Sequence, residues 1–166
     1  MLKQEIKTAI LELQKQYPEK RSALIPALHL AQRQEGYLPL AIQEDVAKLF
    51  AIDVNEVQAI VTFYDMFFDK PVGKHILHIC KNVSCMLRGG DEVMEKFCHR
   101  LNISSGETTA DGEFTIIASE CLGACDRAPM MLADAEVVGP IDPEKIEEIL
   151  AKTKQGHGHP SPMDNL

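Results

Sequence analysis

The stretch His75-Ile76-Leu77-His78-Ile79-Cys80-Lys81-Asn82-Val83-Ser84-Cys85 decides how this chain folds. Pro71-Val72-Gly73 breaks the pattern before it, and His75–Cys80 then predicts a strand. That strand ends on a cysteine, and a second cysteine follows at C-x4-C spacing, on the loop expected to lead to the next helix. The arrangement recurs downstream. The turn signal Asp111-Gly112 introduces a second predicted strand, Phe114-Thr115-Ile116-Ile117-Ala118, expected to end at Cys121, with Cys125, at C-x3-C spacing, on the loop that follows. If the two strands are neighbours in one sheet, both cysteine pairs emerge at one end of it. Each pair can then grip one side of a common centre.

Working outward, a helix is predicted from about Asp91 to Leu101, after Gly89-Gly90. Residues 129–133 and 136–138 read as two more strands, close enough for a hairpin. Asp142-Pro143 is an N-cap followed by proline at the first helical position. Ile146, Ile149 and Leu150 then form the buried stripe of a last helix. The order β-α-β-β-β-α over residues 71–154 is a thioredoxin-like arrangement.

Residues 1–70 read as a small helical bundle, so the fold class is α+β. Leu2, Ile6, Ile10 and Leu13 recur at helical spacing. Ser22 is the expected N-cap of a second helix through Gln34, stopped by Gly36, with Leu24, Leu28 and Ala31 on its apolar side. Pro39 opens a third helix reaching about Phe50. Asp53 and Glu56 have capping-box spacing ahead of a fourth, with Val54, Val57, Ile60, Val61 and Tyr64 on one face. His29 reads as a core or interface histidine. Phe63, Tyr64, Phe67 and Phe68 read as core, or as packing against the second half or a partner. The tail, 155–166, is expected to be disordered, and His157-Gly158-His159 within it to be solvated.

Composition narrows the class. Of 166 residues, 45% are hydrophobic, which is enough for a core. The net charge of −8 argues against a nucleic-acid partner, whose phosphates need a basic surface. No stretch reaches the ~20 apolar residues of a membrane span. The N-terminal residues lack an apolar signal core, so a cytosolic protein is expected. In a reducing compartment five cysteines suit metal or redox chemistry better than disulfides.

Three readings of Cys80, Cys85, Cys121 and Cys125 compete. Structural zinc accepts such spacings, but this half has a regular sheet to fold around without it. A dithiol redox centre would have C-x-x-C spacing, which neither pair has. A [2Fe–2S] cluster, with two thiolates per iron, fits best. Gly123 lets the second loop bend and approach inorganic sulfur. Backbone N–H groups around Val83, Ser84, Leu122 and Ala124 could donate hydrogen bonds to such sulfurs. Arg88 and Arg127, shortly after each pair, would act in the same direction, unless they are ordinary surface arginines. Cys98 shares a helical face with Met94, Phe97 and Leu101 and is expected to be a core thiol. His75 and His78 point to opposite faces of a strand and cannot form a compact ligand pair.

The cysteine pattern resembles the thioredoxin-like [2Fe–2S] ferredoxin family, and within it the branch that serves NADH-quinone oxidoreductase (respiratory complex I). Gly36-Tyr37-Leu38-Pro39, Val61-Thr62-Phe63-Tyr64, Pro71-Val72-Gly73-Lys74-His75, Gly106-Glu107-Thr108-Thr109, Asp111-Gly112 and Cys121-Leu122-Gly123-Ala124-Cys125 carry the resemblance beyond the ligand spacing. It implies that Cys80, Cys85, Cys121 and Cys125 ligate one [2Fe–2S] cluster. It further implies an electron-transfer subunit packed against a partner that binds NADH and FMN, beside other peripheral-arm subunits. Direct membrane insertion is not expected, though attachment to the cytoplasmic face through the complex is. The same subunit type serves NAD-linked hydrogenases and formate dehydrogenases, and a zinc-stabilised adaptor is the reading from another class. The chain has no Gly-rich nucleotide fingerprint and no Ser-His-Asp set, so NADH, FMN and quinone are expected to bind other chains.

Overall fold

In the second half of the chain, one strand organises the rest. This computed structural model describes residues 1–156 and Gly158. The expected tail lies, apart from Gln155, Gly156 and Gly158, outside the described residues. The chain divides into two units, Met1–Pro71 and a second beginning at Val72.

In the first unit, α1 (Gln4–Gln14), α2 (Leu24–Gln32), α3 (Leu40–Phe50) and α4 (Val54–Phe63) enclose a core of Ile10, Leu24, Leu28, Leu38, Ile42, Val46, Val57 and Val61. Three buried glutamines fasten the loops. Gln32 accepts from the Phe68 amide at 2.9 Å and donates to the Met66 carbonyl at 3.0 Å. Gln43 donates to the Leu38 carbonyl at 2.7 Å, and Gln14 to that of Leu49 at 3.2 Å. Each bond satisfies a carbonyl or amide that the short connections leave without a ladder partner.

Two caps differ from expectation. Ser22 does not cap α2. It lies inside a 3-10 turn, Lys20–Ala23, that runs directly into the helix, which itself ends at Gln32 rather than Gln34. Asp53 does cap α4, accepting from the Asn55 amide at 2.8 Å, but Glu56 turns away to pair with Arg21. His29 is buried against the Phe67 ring, with centroids 4.8 Å apart. Phe67 and Phe68 are core, whereas Phe63 and Tyr64 are exposed, at 76% and 37%.

The second unit is built on a four-stranded sheet of order β2-β1-β3-β4, where β1 is His75–Cys80, β2 Phe114–Ser119, β3 Met131–Ala133 and β4 Glu136–Val138. β1 pairs parallel with β2, from His75↔Phe114 to Cys80↔Ser119. β1 and β3 are antiparallel, as are β3 and β4. Between β1 and β2 run α5 (Val83–Leu87) and α6 (Gly90–Leu101), and α7 (Ile146–Gln155) closes the unit. Leu77, Ile79, Phe114 and Ile116 pack with Val93 and Phe97 of α6 and with Ile146 and Leu150 of α7. Asp142 caps the turn before α7, accepting from the Glu144 amide at 3.0 Å. Among the described residues, no helix is long and apolar enough to cross a membrane.

Asp134, in the β3–β4 turn, fastens that hairpin to the start of β1. Its carboxylate accepts from the Ile76 amide at 2.8 Å and meets His75 Nδ1 at 2.9 Å, while its own amide donates to the Ile76 carbonyl. His75 is fully buried. Asp134→Ala leaves two buried donors without their acceptor, which costs about 1–3 kcal/mol per unsatisfied group. A lowered urea midpoint, followed by far-ultraviolet circular dichroism, is the expected result.

Candidate metal centre

The parallel register of β1 and β2 delivers both cysteine loops to the C-terminal edge of the sheet. Cys80 is the last residue of β1, and pairing continues one step beyond it through the Lys81 amide and the Ser119 carbonyl at 2.9 Å. The neighbouring side chains, Lys81 and Glu120, then form an ion pair at 3.0 Å. Both are exposed, so the pair marks the alignment more than it stabilises it. Cys121 lies two residues past the end of β2, not on it as the sequence suggested, and it is exposed.

The second cysteine of each pair sits in a helical turn. Cys85 is inside α5, not on an open loop as expected, and Cys125 begins a 3-10 turn, Cys125–Arg127. Gly90 makes the first of these turns possible. A methyl group there would lie 2.8 Å from the Cys85 carbonyl oxygen, so only glycine lets α6 start directly over α5. Gly123 adopts φ +81°, in the left-handed region that glycine enters without strain.

Cys80, Cys85, Ala128 and Met130 form a buried cluster, with Leu122, Ala124 and Leu132 packed against it. Cys85 is only 1% exposed, while Cys125 is exposed. Burial pushes the Cys85 thiol up from its ordinary value, and its hydrogen bond with Cys80 and the nearby Cys80 and Cys125 sulfurs push the same way. Cys85 thus lies within hydrogen-bond reach of Cys80 and near Cys125, with Cys121 past the end of the adjoining strand. Val83 and Ser84 open α5, where helical geometry leaves N–H groups free of intrahelical acceptors.

The donor set fits an iron–sulfur centre. It is all thiolate, with an apolar floor beneath two donors and an open edge at the other two. Among the described residues no three His, Cys, Asp or Glu side chains close around one metal ion. Two irons divide the thiolates into pairs and do not require such closure.

The other candidates fall elsewhere. Cys98 is half-buried on α6 against the sheet core, and burial followed by the nearby Glu107 carboxylate raises its thiol. His75 is held by Asp134, and His78 Nδ1 lies 3.0 Å from Ser119 Oγ. The two arginines part company. Arg127 stays exposed near Asp126, whereas Arg88 Nε donates to the Ala128 carbonyl at 2.7 Å, linking the two cysteine turns. A cavity of about 500 Å3, lined by Arg100, Asp111, Phe114, Glu147, Leu150 and Lys154, lies by the start of β2, away from the cysteines.

The family profile described as thioredoxin-like [2Fe-2S] ferredoxin matches residues 10–154. The E 2 subunit of NADH-quinone oxidoreductase from Rhizobium meliloti (strain 1021) is 40% identical over 134 residues, spanning 81% of this chain and 80% of that protein. The E subunit of NADH-quinone oxidoreductase from Escherichia coli (strain K12) is 36% identical over 138 residues, 83% of each. Among solved structures, an NAD+-reducing [NiFe]-hydrogenase in the air-oxidized state matches with a TM-score of 0.69 at 22% identity. That match covers 80% of this chain but 23% of the hydrogenase chain.

The burial pattern sets an order of thiol reactivity in metal-free protein. Alkylation with iodoacetamide near neutral pH, read by peptide mass spectrometry, is expected to label Cys121 and Cys125 first and Cys85 last. Early labelling of Cys85 would contradict its placement on the apolar floor.

Proposed function

The chain belongs to the thioredoxin-like [2Fe–2S] ferredoxin family, and from that premise we propose that Cys80, Cys85, Cys121 and Cys125 hold one [2Fe–2S] cluster. We place that cluster in the NADH dehydrogenase module of NADH-quinone oxidoreductase, exchanging electrons with the FMN of a partner subunit. The observation that carries the ligand assignment is the register Cys80↔Ser119, which sets both cysteine pairs at one sheet edge. Identity of 36–41% over more than four-fifths of the chain with E subunits of NADH-quinone oxidoreductases favours complex I. The hydrogenase likeness, at 22% identity, speaks for the fold alone.

When bound, the cluster supplies reversible one-electron chemistry. This chain's own residues do the rest. The four thiolates hold the irons in pairs, one pair from each loop. Cys80, Cys85, Ala128 and Met130 exclude water from the inner side. The exposed Cys121 and Cys125 leave the outer side open to a redox partner. NADH and FMN belong to that partner, and the chain associates with other peripheral-arm subunits. It reaches the cytoplasmic face of the membrane through the complex.

Anaerobic purification tests the reading. Brown protein with about two irons per chain and a paramagnetic signal after dithionite reduction is expected. Colourless protein holding stoichiometric zinc would overturn it. Cys121→Ala is expected to abolish or badly destabilise the cluster. Cys98→Ala should keep the cluster and lose only packing, of order 1 kcal/mol. The isolated chain is also expected not to oxidise NADH until a flavin-bearing partner is added.

A further inference from the structure

We propose that Arg88 is a positioning residue, bracing the two cysteine turns against each other and thereby setting how firmly the cluster is held. The inference rests on the four-cysteine reading above and adds to it a residue that ligates nothing. Arg88 is the C-cap of α5, and its amide donates to the Cys85 carbonyl at 3.1 Å. Ala128 closes the 3-10 turn in the same way, its amide donating to the Cys125 carbonyl at 3.3 Å. The Arg88 Nε–H then joins the two, donating to the Ala128 carbonyl at 2.7 Å. A continuous path therefore runs from Cys85 through Arg88 and Ala128 to Cys125. At its far end Ala128 is 1% exposed and fixed in the apolar floor with Cys80, Cys85 and Met130.

The need for a brace follows from the topology. Cys80 and Cys121 leave paired parallel strands, and the sheet sets their spacing. Cys85 and Cys125 sit in turns outside the strand pairing, although the Met130 amide, one residue before β3, bonds to Cys85. Among the described residues, no backbone–backbone hydrogen bond joins residues 83–88 to residues 122–128. The Arg88 side chain supplies a direct cross-link between the two turns with a charge-assisted donor. Arg127, at the corresponding place after the second pair, is exposed near Asp126 and serves as the natural control.

Nε–H geometry is what the brace requires. A lysine keeps the positive charge but places a methylene where Arg88 carries its Nε–H donor. The experiment uses the full chain loaded with its cluster and compares Arg88→Lys, Arg88→Met and Arg127→Met. Groups that orient metal ligands from outside the coordination sphere typically change affinity by roughly 10–100-fold. Both Arg88 variants are expected to release iron to a chelator at least about tenfold faster than wild type. They should also alter the paramagnetic spectrum of the reduced cluster, because the thiolate positions relax. Arg127→Met should match wild type in both readouts.

Wild-type release rates and spectra in both Arg88 variants would overturn the brace while leaving the four-cysteine reading intact. Full rescue by Arg88→Lys, or equal acceleration by Arg127→Met, would also overturn it, since charge alone would then explain the effect. A wild-type chain that binds no iron would overturn the four-cysteine reading and the brace with it.

Discussion

The parallel, in-register pairing of β1 with β2 is the constraint on which the rest depends. Parallel strands run off the same edge of a sheet, so a cysteine loop after each one arrives at a shared place. Had the pair been antiparallel, the loops would have left from opposite ends of strands roughly 20 Å long. The cost of the parallel arrangement is a crossover too long for a tight turn. α6 fills that crossover and packs Val93 and Phe97 onto the sheet. The helix that connects the cysteine loops thus also covers the strands that aim them.

Much of this architecture was legible in the sequence, for identifiable reasons. β1 reads as a strand because it is the central partner, flanked by β2 and β3 and buried along most of its length. β2, α6 and α7 announce themselves through Asp111-Gly112, Gly89-Gly90 and Asp142-Pro143. What escaped was short or non-local. α5 spans five residues, fewer than two turns, and leaves no periodicity to detect. Ser22 looked like a cap because the 3-10 turn that absorbs it has no distinctive composition. The separate roles of Arg88 and Arg127 were hidden because the Arg88 acceptor lies 40 residues away. The spacing C-x4-C itself is clearer with the structure. It lets the chain leave β1 and enter a helical turn before presenting Cys85.

The site is polarised between shelter and exposure. Burial disfavours a free thiolate at Cys85, and neighbouring sulfurs disfavour it further. A coordinated metal removes that penalty, because it holds the thiolate outright. Cys85 on the buried side is thus a position that coordination would relieve, while Cys121 and Cys125 stay exposed. This asymmetry suits a carrier, which must retain its cluster on one side and offer a route for electrons on the other.

The cavity of about 500 Å3 at the far end of the sheet is the obvious rival location for function, and chemistry decides against it. Its charged groups already have partners. Arg100 pairs with Glu147, Lys154 lies over the Phe114 ring at 5.4 Å, and Asp111 is held below the usual carboxylate range by the Thr109 hydroxyl and the Glu113 amide. A ligand entering there would have to displace existing partners. At the cysteine edge the thiols gain partners when a metal arrives. That contrast, between donors already spent and donors that coordination would complete, favours the proposed site at the end of β1 and β2 over the cavity.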